Sequence, residues 1–298
     1  MSSNFNSSAK PRLACEIAAD RVLAGRVSER GGMVEMCAAG ELPAGSVVPD
    51  LLENNLRERN KVLDTIQATL GSLSSRSRDV IAVLPDAAVR VVLLDFESLP
   101  ANHSEAESVV RFRLKKSLPF DLDKAKVSYH AQPATTGVRV VAAVALSNVI
   151  EDYESMFQEA GYSPGIVLPS MLAALGAADA ERPTLVVKVD ARTTSIAILD
   201  KNQLLLFRTL ENPRGATISG EQLAEEVYPS VVFFQDTYHL NIEQIFVAGL
   251  SDIGGAVPAL RAQTNAEVTE LVAASQLGGS SGSIPRWRMA GVVGALLS

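Results

Sequence analysis

At two places in the chain an acidic residue leaves an apolar run and is followed by small residues. In residues 184–210, Leu185, Val187 and Val189 alternate with Val186 and Lys188; Asp190 ends the run, and Ala191, Arg192, Thr193 and Thr194 follow. A carboxylate leaving a strand into hydroxyl residues can hold a hydrated cation beside a phosphate. It can equally be a turn residue that bonds its own backbone. Residues 12–27 (RLACEIAADRVLAGRV) repeat the plan, with Glu16 as the acid and Ala18 and Ala19 in the turn. A third run, 245–251 (IFVAGLS), reads as a strand entering a turn at Gly249, with a helix signal after Gly255.

Conventional chemical signatures are absent. The sequence contains no Gly-Lys-Ser/Thr phosphate loop, no Gly-x-Gly-x-x-Gly and no His-Glu-x-x-His. Residues 278–282 (GGSSG) spell a hydrolase elbow. However, they lie in a Gly/Ser run with no apolar strand before it, and the run 278–283 reads as a linker. His103, His130 and His239 are far apart in sequence. Cys15 and Cys37 both lie in apolar strand-like runs, which suits reduced buried thiols and is too few for a zinc site.

The elements that must carry these residues follow from periodicity and turn chemistry. Residues 195–199 and 204–207 read as strands around an Asp200-Lys201-Asn202 turn. Ser104 to Glu107 has the pattern of a capping box, predicting a helix from 104 to about 117, before Pro119. Arg111, Arg113, Lys115 and Lys116 in its last turns either match the helix dipole or form a basic face for anionic lipid or an acidic partner. Ser219 and Gln222 mark a second capping box. After it, Leu223, Val227, Val231 and Phe234 make one apolar stripe, Glu226 lies off that stripe, and Pro229 is expected to kink the helix. A third helix over 149–160 puts Ile150, Tyr153 and Phe157 on one face and ends at Gly161.

The chain has 298 residues, 47% of them hydrophobic, enough to bury one large core or two smaller ones. A net charge of −7 gives no electrostatic reason to expect nucleic acid. No segment is long and apolar enough to cross a bilayer. The opening residues MSSNFNSSAKPR lack the apolar stretch of a signal peptide and read as a flexible tail over 1–10, so a cytoplasmic location is expected.

The paired strand-acid-turn-strand units, with the 245–251 turn third in order, resemble the actin/Hsp70/sugar-kinase superfamily. Other segments narrow the resemblance: 80–85 (VIAVLP), 89–96, Leu99-Pro100, 117–120 (SLPF), 127–130 (VSYH), 153–164 (YESMFQEAGYSP), 226–234 (EVYPSVVFF) and the closing 286–297. In this order they are similar to the PilM family, the FtsA-like proteins of type IV pilus assembly, over about 10–298. The resemblance implies an α/β chain with the actin-like (ribonuclease H-like) two-lobed ATPase fold and a small α+β subdomain inserted as in FtsA and PilM. The first lobe is then expected over 11–84, 149–182 and 276–298, the inserted subdomain over 85–148, and the second lobe over 183–275.

The resemblance also implies a site in the cleft between the lobes. Asp190 and Glu16 would hold a hydrated Mg²⁺, Thr193 and Thr194 would contact phosphate, Glu226 the ribose, and Gly249, Leu250 and Ser251 the adenine of ATP. The chain departs from the family at three of these contacts. Glu16-Ile17-Ala18-Ala19 stands where the family reads Asp-Ile-Gly-Ser, Asp190-Ala191-Arg192 where it reads Asp-x-Gly, and Gly249-Leu250 where it has paired glycines. Glycine lets backbone amides approach a phosphate without a Cβ in the way. Arg192 is expected either to bind phosphate itself or to fill the cleft by pairing with Glu16 or Asp190.

The leading expectation is a non-catalytic scaffold, a pseudo-ATPase. It would be peripheral at the inner face of the inner membrane and would dock the N-terminal cytoplasmic peptide of a PilN-like partner near the inserted subdomain, with self-association open. The alternative is a working ATP switch or a sugar-kinase-like phosphotransferase. A cytoplasmic component of type II secretion is a third reading, which the missing membrane helix argues against in its usual form.

Overall fold

The computed structural model describes residues 10–29, 31–280 and 284–298. Most of the tail read over 1–10, and residues 281–283 of the Gly/Ser run, lie outside the described residues. The chain runs β1 (Leu13–Ile17), β2 (Arg21–Val27), β3 (Val34–Glu41), α1 (Arg59–Gly71) and β4 (Asp79–Leu84). Then come β5 (Arg90–Phe96), α2 (His103–Leu114), β6 (Ala125–Pro133), β7 (Val138–Leu146), α3 (Ser147–Glu159), β8 (Ser163–Pro169) and α4 (Ser170–Ala174). The last part holds β9 (Thr184–Val189), β10 (Thr193–Asp200), β11 (Gln203–Glu211), α5 (Gly220–Tyr238) and β12 (Gln244–Ala248). It closes with α6 (Ile253–Thr264), β13 (Glu267–Glu270), β14 (Leu277–Ser280) and α7 (Ala290–Leu297).

These elements form three sheets. The first has the order β14-β3-β2-β1-β4-β8, antiparallel through β1–β2–β3 and parallel through β1–β4–β8. The second has the order β11-β10-β9-β12-β13, and the third, β5-β7-β6, is fully antiparallel. The third sheet covers a core of Val110, Leu114, Leu122, Val140 and Val144 and stands as a small α+β unit with α2.

Strand parity decides what faces the space between the first two sheets. In β1, Leu13, Cys15 and Ile17 pack with Ile66, Tyr153 and Phe157 of α1 and α3. Ala14 faces the other way, into a core with Val292 and Val293 of α7, Met171 of α4 and, from the second sheet, Val186 and Ala197. In β9, Leu185, Val187 and Val189 pack under α5 and α6 with Leu223, Phe234 and Leu260. Side chains two apart share a face of a strand. Glu16 and Lys188 therefore fall on the inward face with Ala14 and Val186.

Several local expectations are corrected. Residues 184–210 form three consecutive antiparallel strands. Thr193 and Thr194 fall inside β10, because the Asp190 amide donates to the Thr193 carbonyl and closes the first turn tightly. The second turn places Lys201 and Asn202 at φ of 50° and 59°, the twist that matches a two-residue hairpin. Helix α2 is capped two residues earlier than the Ser104 box predicts: the Asn102 side chain accepts from the amides of Ser104 and Glu105. Asparagine is as strong a cap as serine, and it stands first. Residues 278–280, read as the start of a linker, join Leu277 in a short strand, Leu277–Ser280, parallel to β3. The Ser219–Gln222 capping box forms as expected, and α5 continues through Pro229 to Tyr238.

Candidate functional site

The inward faces of β1 and β9 meet in a buried group of charges. Lys188 and Glu16 are 4% and 2% exposed, and Asp86, in the turn after β4, is 3% exposed. The Lys188 Nζ donates to Asp190 Oδ2 and lies 3.8 Å from Asp86 Oδ2 and 3.9 Å from Glu16 Oε1. Arg21, at the start of β2, brings a second cation, with Nη2 3.6 Å from Asp190 Oδ1.

Neutral donors complete the arrangement. The Ser170 hydroxyl donates to Glu16 Oε1. The Asp86 carboxylate accepts from the Met171 amide at 2.7 Å and from the Ser195 hydroxyl at 2.8 Å. Glu16, Arg21, Ser170 and Met171 belong to the first-sheet lobe and Asp86 lies in the turn that leaves its strand β4, whereas Lys188, Asp190 and Ser195 belong to the second lobe. Glu16 Oε2 is buried without a hydrogen-bond partner. Helix α7 begins directly over this carboxylate: a Cβ on Gly291 would lie 2.9 Å from both of its oxygens.

Electrostatics divides these groups. Burial alone would depress Lys188, but the surrounding carboxylates of Asp190, Asp86 and Glu16 outweigh it and hold the ammonium above the usual lysine range. Burial would likewise raise Asp190, and Lys188 and Arg21 reverse that, so its carboxylate lies below its ordinary value. For Glu16 and Asp86 burial outweighs the pull of Lys188, and both are raised.

The sequence-predicted residues are brought together only in part. Glu16 and Asp190 meet, but through Lys188 and Arg21. Arg192, expected to take phosphate or to pair with one of them, is exposed and makes no ion pair among the described residues. Thr193 is 7% exposed and Thr194 fully buried, its hydroxyl without a partner. Gly249 has φ of 84°, and a Cβ there would lie 1.7 Å from the Val189 carbonyl oxygen, so glycine is required by packing. Its amide donates to the Trp287 carbonyl at 2.8 Å. Leu250 packs into the core under α6, and Ser251 is exposed. Glu226 is half-buried on α5, with Oε2 buried and unpartnered.

A cavity of about 540 Å³ opens beside the charge group, lined by Asp50, Asp86, Arg90, Arg192, Thr193 and Asn212. Neither Glu226 nor Gly249, Leu250 or Ser251 lines it. Its size suits a small ligand, but the charge group does not suit a hydrated divalent ion. The space among the three carboxylates is held by an ammonium, and a second cation there would meet Lys188 and Arg21 at close range. Sequence reading missed Lys188, Asp86 and Arg21. Lys188 is a lysine at an inward position of an otherwise apolar strand, and that parity was the available signal.

A second concave surface lies where the inserted unit meets the first lobe. This groove of about 180 Å³ is lined by Val89, Val127, Ala143, Ile150, Val167 and Leu168. At its edge Lys126 and Glu154 pair at 3.1 Å.

No sequence-family model matches the chain, and no curated protein matches it by sequence. Solved structures do match it in fold. A chain described as "PilM-PilN type IV pilus biogenesis complex" superimposes with a TM-score of 0.75 at 19% identity, covering 96% of this chain and 97% of that one. The cytoplasmic domain of EpsL, an inner membrane component of the type II secretion system of Vibrio cholerae, gives 0.54 at 10% identity, covering 96% and 94%. The ethanolamine utilization protein EutJ from Carboxydothermus hydrogenoformans gives 0.52 at 11% identity, covering 98% and 91%. With two α/β lobes closing on a shared cleft and a small α+β unit between β4 and α3, this chain has the two-lobed actin-like ATPase fold, with an inserted subdomain as in FtsA and PilM.

Proposed function

We propose that this protein is a non-catalytic scaffold of type IV pilus assembly or a related secretion machine, which docks a short cytoplasmic peptide of an inner-membrane partner similar to PilN. The observation that carries the reading is the match along nearly the whole chain to the PilM-PilN complex chain, inserted subdomain included. Recognition of an extended peptide needs a groove and pockets for alternate side chains, and no reacting groups. The apolar groove between the inserted sheet, α3 and β8 supplies such a surface, and the Lys126–Glu154 pair at its edge adds polar partners. The protein is then cytoplasmic and peripheral, held at the inner face of the membrane by its partner. Among the described residues no helix is long and apolar enough to cross a membrane. Binding of PilN-type N-terminal peptides to the wild type and to Ala143→Arg, followed by fluorescence anisotropy, tests this. No binding by the wild type sinks it, and equal binding by both removes this groove as the docking surface.

A second reading, an ATP-controlled switch, is favoured by the cavity of about 540 Å³ at the cleft. Thermal unfolding with and without Mg-ATP, with Asp190→Ala as control, separates the two. A ligand at about 100 times its dissociation constant adds about 2.7 kcal/mol. A wild-type shift that vanishes in the variant supports the switch, and its absence supports the scaffold.

A further inference from the structure

We propose that the outer face of α2, where Phe112 stands among Arg113, Lys115 and Lys116, is a contact surface for an anionic lipid bilayer.

Helix α2 carries apolar side chains on two sides. Ala106, Val110 and Leu114 are buried, the last two in the core that holds Leu94, Val140, Ala142 and Val144 of the third sheet. Val109 and Phe112, one turn apart on the outer side, are 37% and 65% exposed. Phe112 is the most exposed large hydrophobic side chain among the described residues. Cations surround it. The Lys116 Nζ lies 6.0 Å from the centre of its ring, and Arg113 and Lys115 follow on the same turn.

These three cations are exposed and make no ion pair among the described residues. Arg111 differs: it lies 3.7 Å from Glu107 and donates to the Leu122 carbonyl at 3.1 Å, so it serves the helix and the turn after it. Asp121 and Asp123 of that turn leave Arg113, Lys115 and Lys116 unpaired. The helix dipole explains cations in a last turn, but it asks for no exposed ring among them. Nor does the chain as a whole supply this charge. Its net charge is −7, so the patch is a local reversal of sign and complements an anionic surface.

Composition and shape favour a bilayer over an acidic protein. Protein interfaces gather aromatic rings but are depleted in lysine. Helices lying on anionic membranes combine a ring at the acyl boundary with lysines and arginines, whose alkyl stems lie beside it while their charges reach the headgroups. The residues of this face line neither the cleft cavity nor the groove beside α3, so they offer a partner's side chains no pocket. The peptide groove, at Ala143, is on the opposite face of the third sheet from the core that α2 covers, and the helix does not block it.

The proposal rests on the membrane-peripheral placement given above and not on the partner peptide. Peptide binding without lipid and vesicle binding without peptide fail independently, which keeps the two readings apart.

The experiment is co-sedimentation of the full-length protein with vesicles of phosphatidylglycerol and of phosphatidylcholine, at low and high salt. The wild type is expected to pellet with the phosphatidylglycerol vesicles alone, and high salt should release it. Lys115→Gln and Lys116→Gln should each lower the partition coefficient about fivefold, the effect of one basic residue at an anionic surface. Phe112→Ser should also lower it, with an unchanged circular dichroism spectrum, and Lys201→Gln, on the hairpin of the second lobe, should leave it as in the wild type. A wild type that ignores phosphatidylglycerol overturns the proposal, as does binding that Phe112→Ser or both lysine variants leave unchanged. Binding to polyglutamate but not to phosphatidylglycerol assigns the face to an acidic protein and overturns it too.

Discussion

Arg21 reaches from the first lobe to Asp190 of the second, its Nη2 3.6 Å from Oδ1, while its Nη1 holds Asp20 at 2.7 Å. With a side chain 7% exposed against 14% for Asp190, Arg21 is more deeply buried than the acid it faces. Removing one partner of such a pair leaves the other charge buried and underpaired, which costs roughly 3–5 kcal/mol. Arg21→Met is therefore expected to lower the urea midpoint strongly with little change in the slope. Arg21→Lys should restore only part of the loss, because one ammonium cannot serve Asp20 and Asp190 in the forked geometry of a guanidinium. A double-mutant cycle with Asp190→Asn that gives additive losses would show that the two residues are not coupled.

The acids of the cleft pull in opposite directions with pH. Asp190 lies below its ordinary pKa because Lys188 and Arg21 outweigh its burial. Its contribution is thus present above the unfolded value of about 4 and is lost as pH falls through the folded one. Glu16 and Asp86 are raised by burial, so their contribution is present below the unfolded values of about 4 and is lost as pH rises through the folded ones. Asp190→Asn should flatten the acid limb of a stability–pH profile and cost stability at neutral pH. Glu16→Gln should do the reverse, removing a cost that the wild type carries at neutral pH. Parallel slopes in the two variants would contradict this division.

Gly249 can be tested as a packing residue rather than a ligand contact. With φ of 84° and the Val189 carbonyl oxygen 1.7 Å from where a Cβ would lie, Gly249→Ala must shift the backbone of β9 or β12. The expected loss is on the order of 3 kcal/mol, from the left-handed backbone together with the clash. Ser251→Ala, at an exposed position three residues from the end of β12, should stay within about 0.5 kcal/mol. Equal effects by calorimetry would refute the packing account.

Much of this architecture was legible because it rests on alternation and turn chemistry. The apolar period of 185–189, the Ser219 box and the Gly161 stop each specify their element locally. The site was half legible for the same reason. Glu16 and Asp190 sit near strand ends, where an acid is conspicuous, and Ala18 and Arg192 can be read in the turns that follow them. What escaped was the partner of each acid. Lys188 reads as one more residue of its strand and Asp86 follows a proline, and nothing local says that β1 and β9, more than 150 residues apart, turn the same parity toward one another. Arg192 drew attention as the cation nearest Asp190 in the turn, but the two-residue turn closed by the Asp190 and Thr193 backbones leaves its side chain in solvent. Strand 277–280 was hidden by composition: glycine and serine have low strand propensity, and only pairing with β3 fixes them.

The groove beside the inserted subdomain gives the prediction closest to function. Ala143 lies at the middle of β7, paired with Val91 on one side and Ser128 on the other, with its side chain part of the groove wall. An arginine there fills a volume of about 180 Å³ and sets a charge among Val127, Ile150, Val167 and Leu168 without touching the core on the opposite face of the sheet, where Ala142 and Val144 are buried. Ala143→Arg should therefore leave Tm within a few degrees of the wild type while weakening peptide affinity at least tenfold, about 1.4 kcal/mol. Glu154→Ala, which releases Lys126 at the edge of the groove, should have a smaller effect, because an exposed pair contributes about 0–1 kcal/mol. If both variants bind the peptide as the wild type does, the docking surface lies elsewhere. The groove between β5, β11 and α5, lined by Val92, Arg139, Phe207 and Phe233, would then be the next to probe.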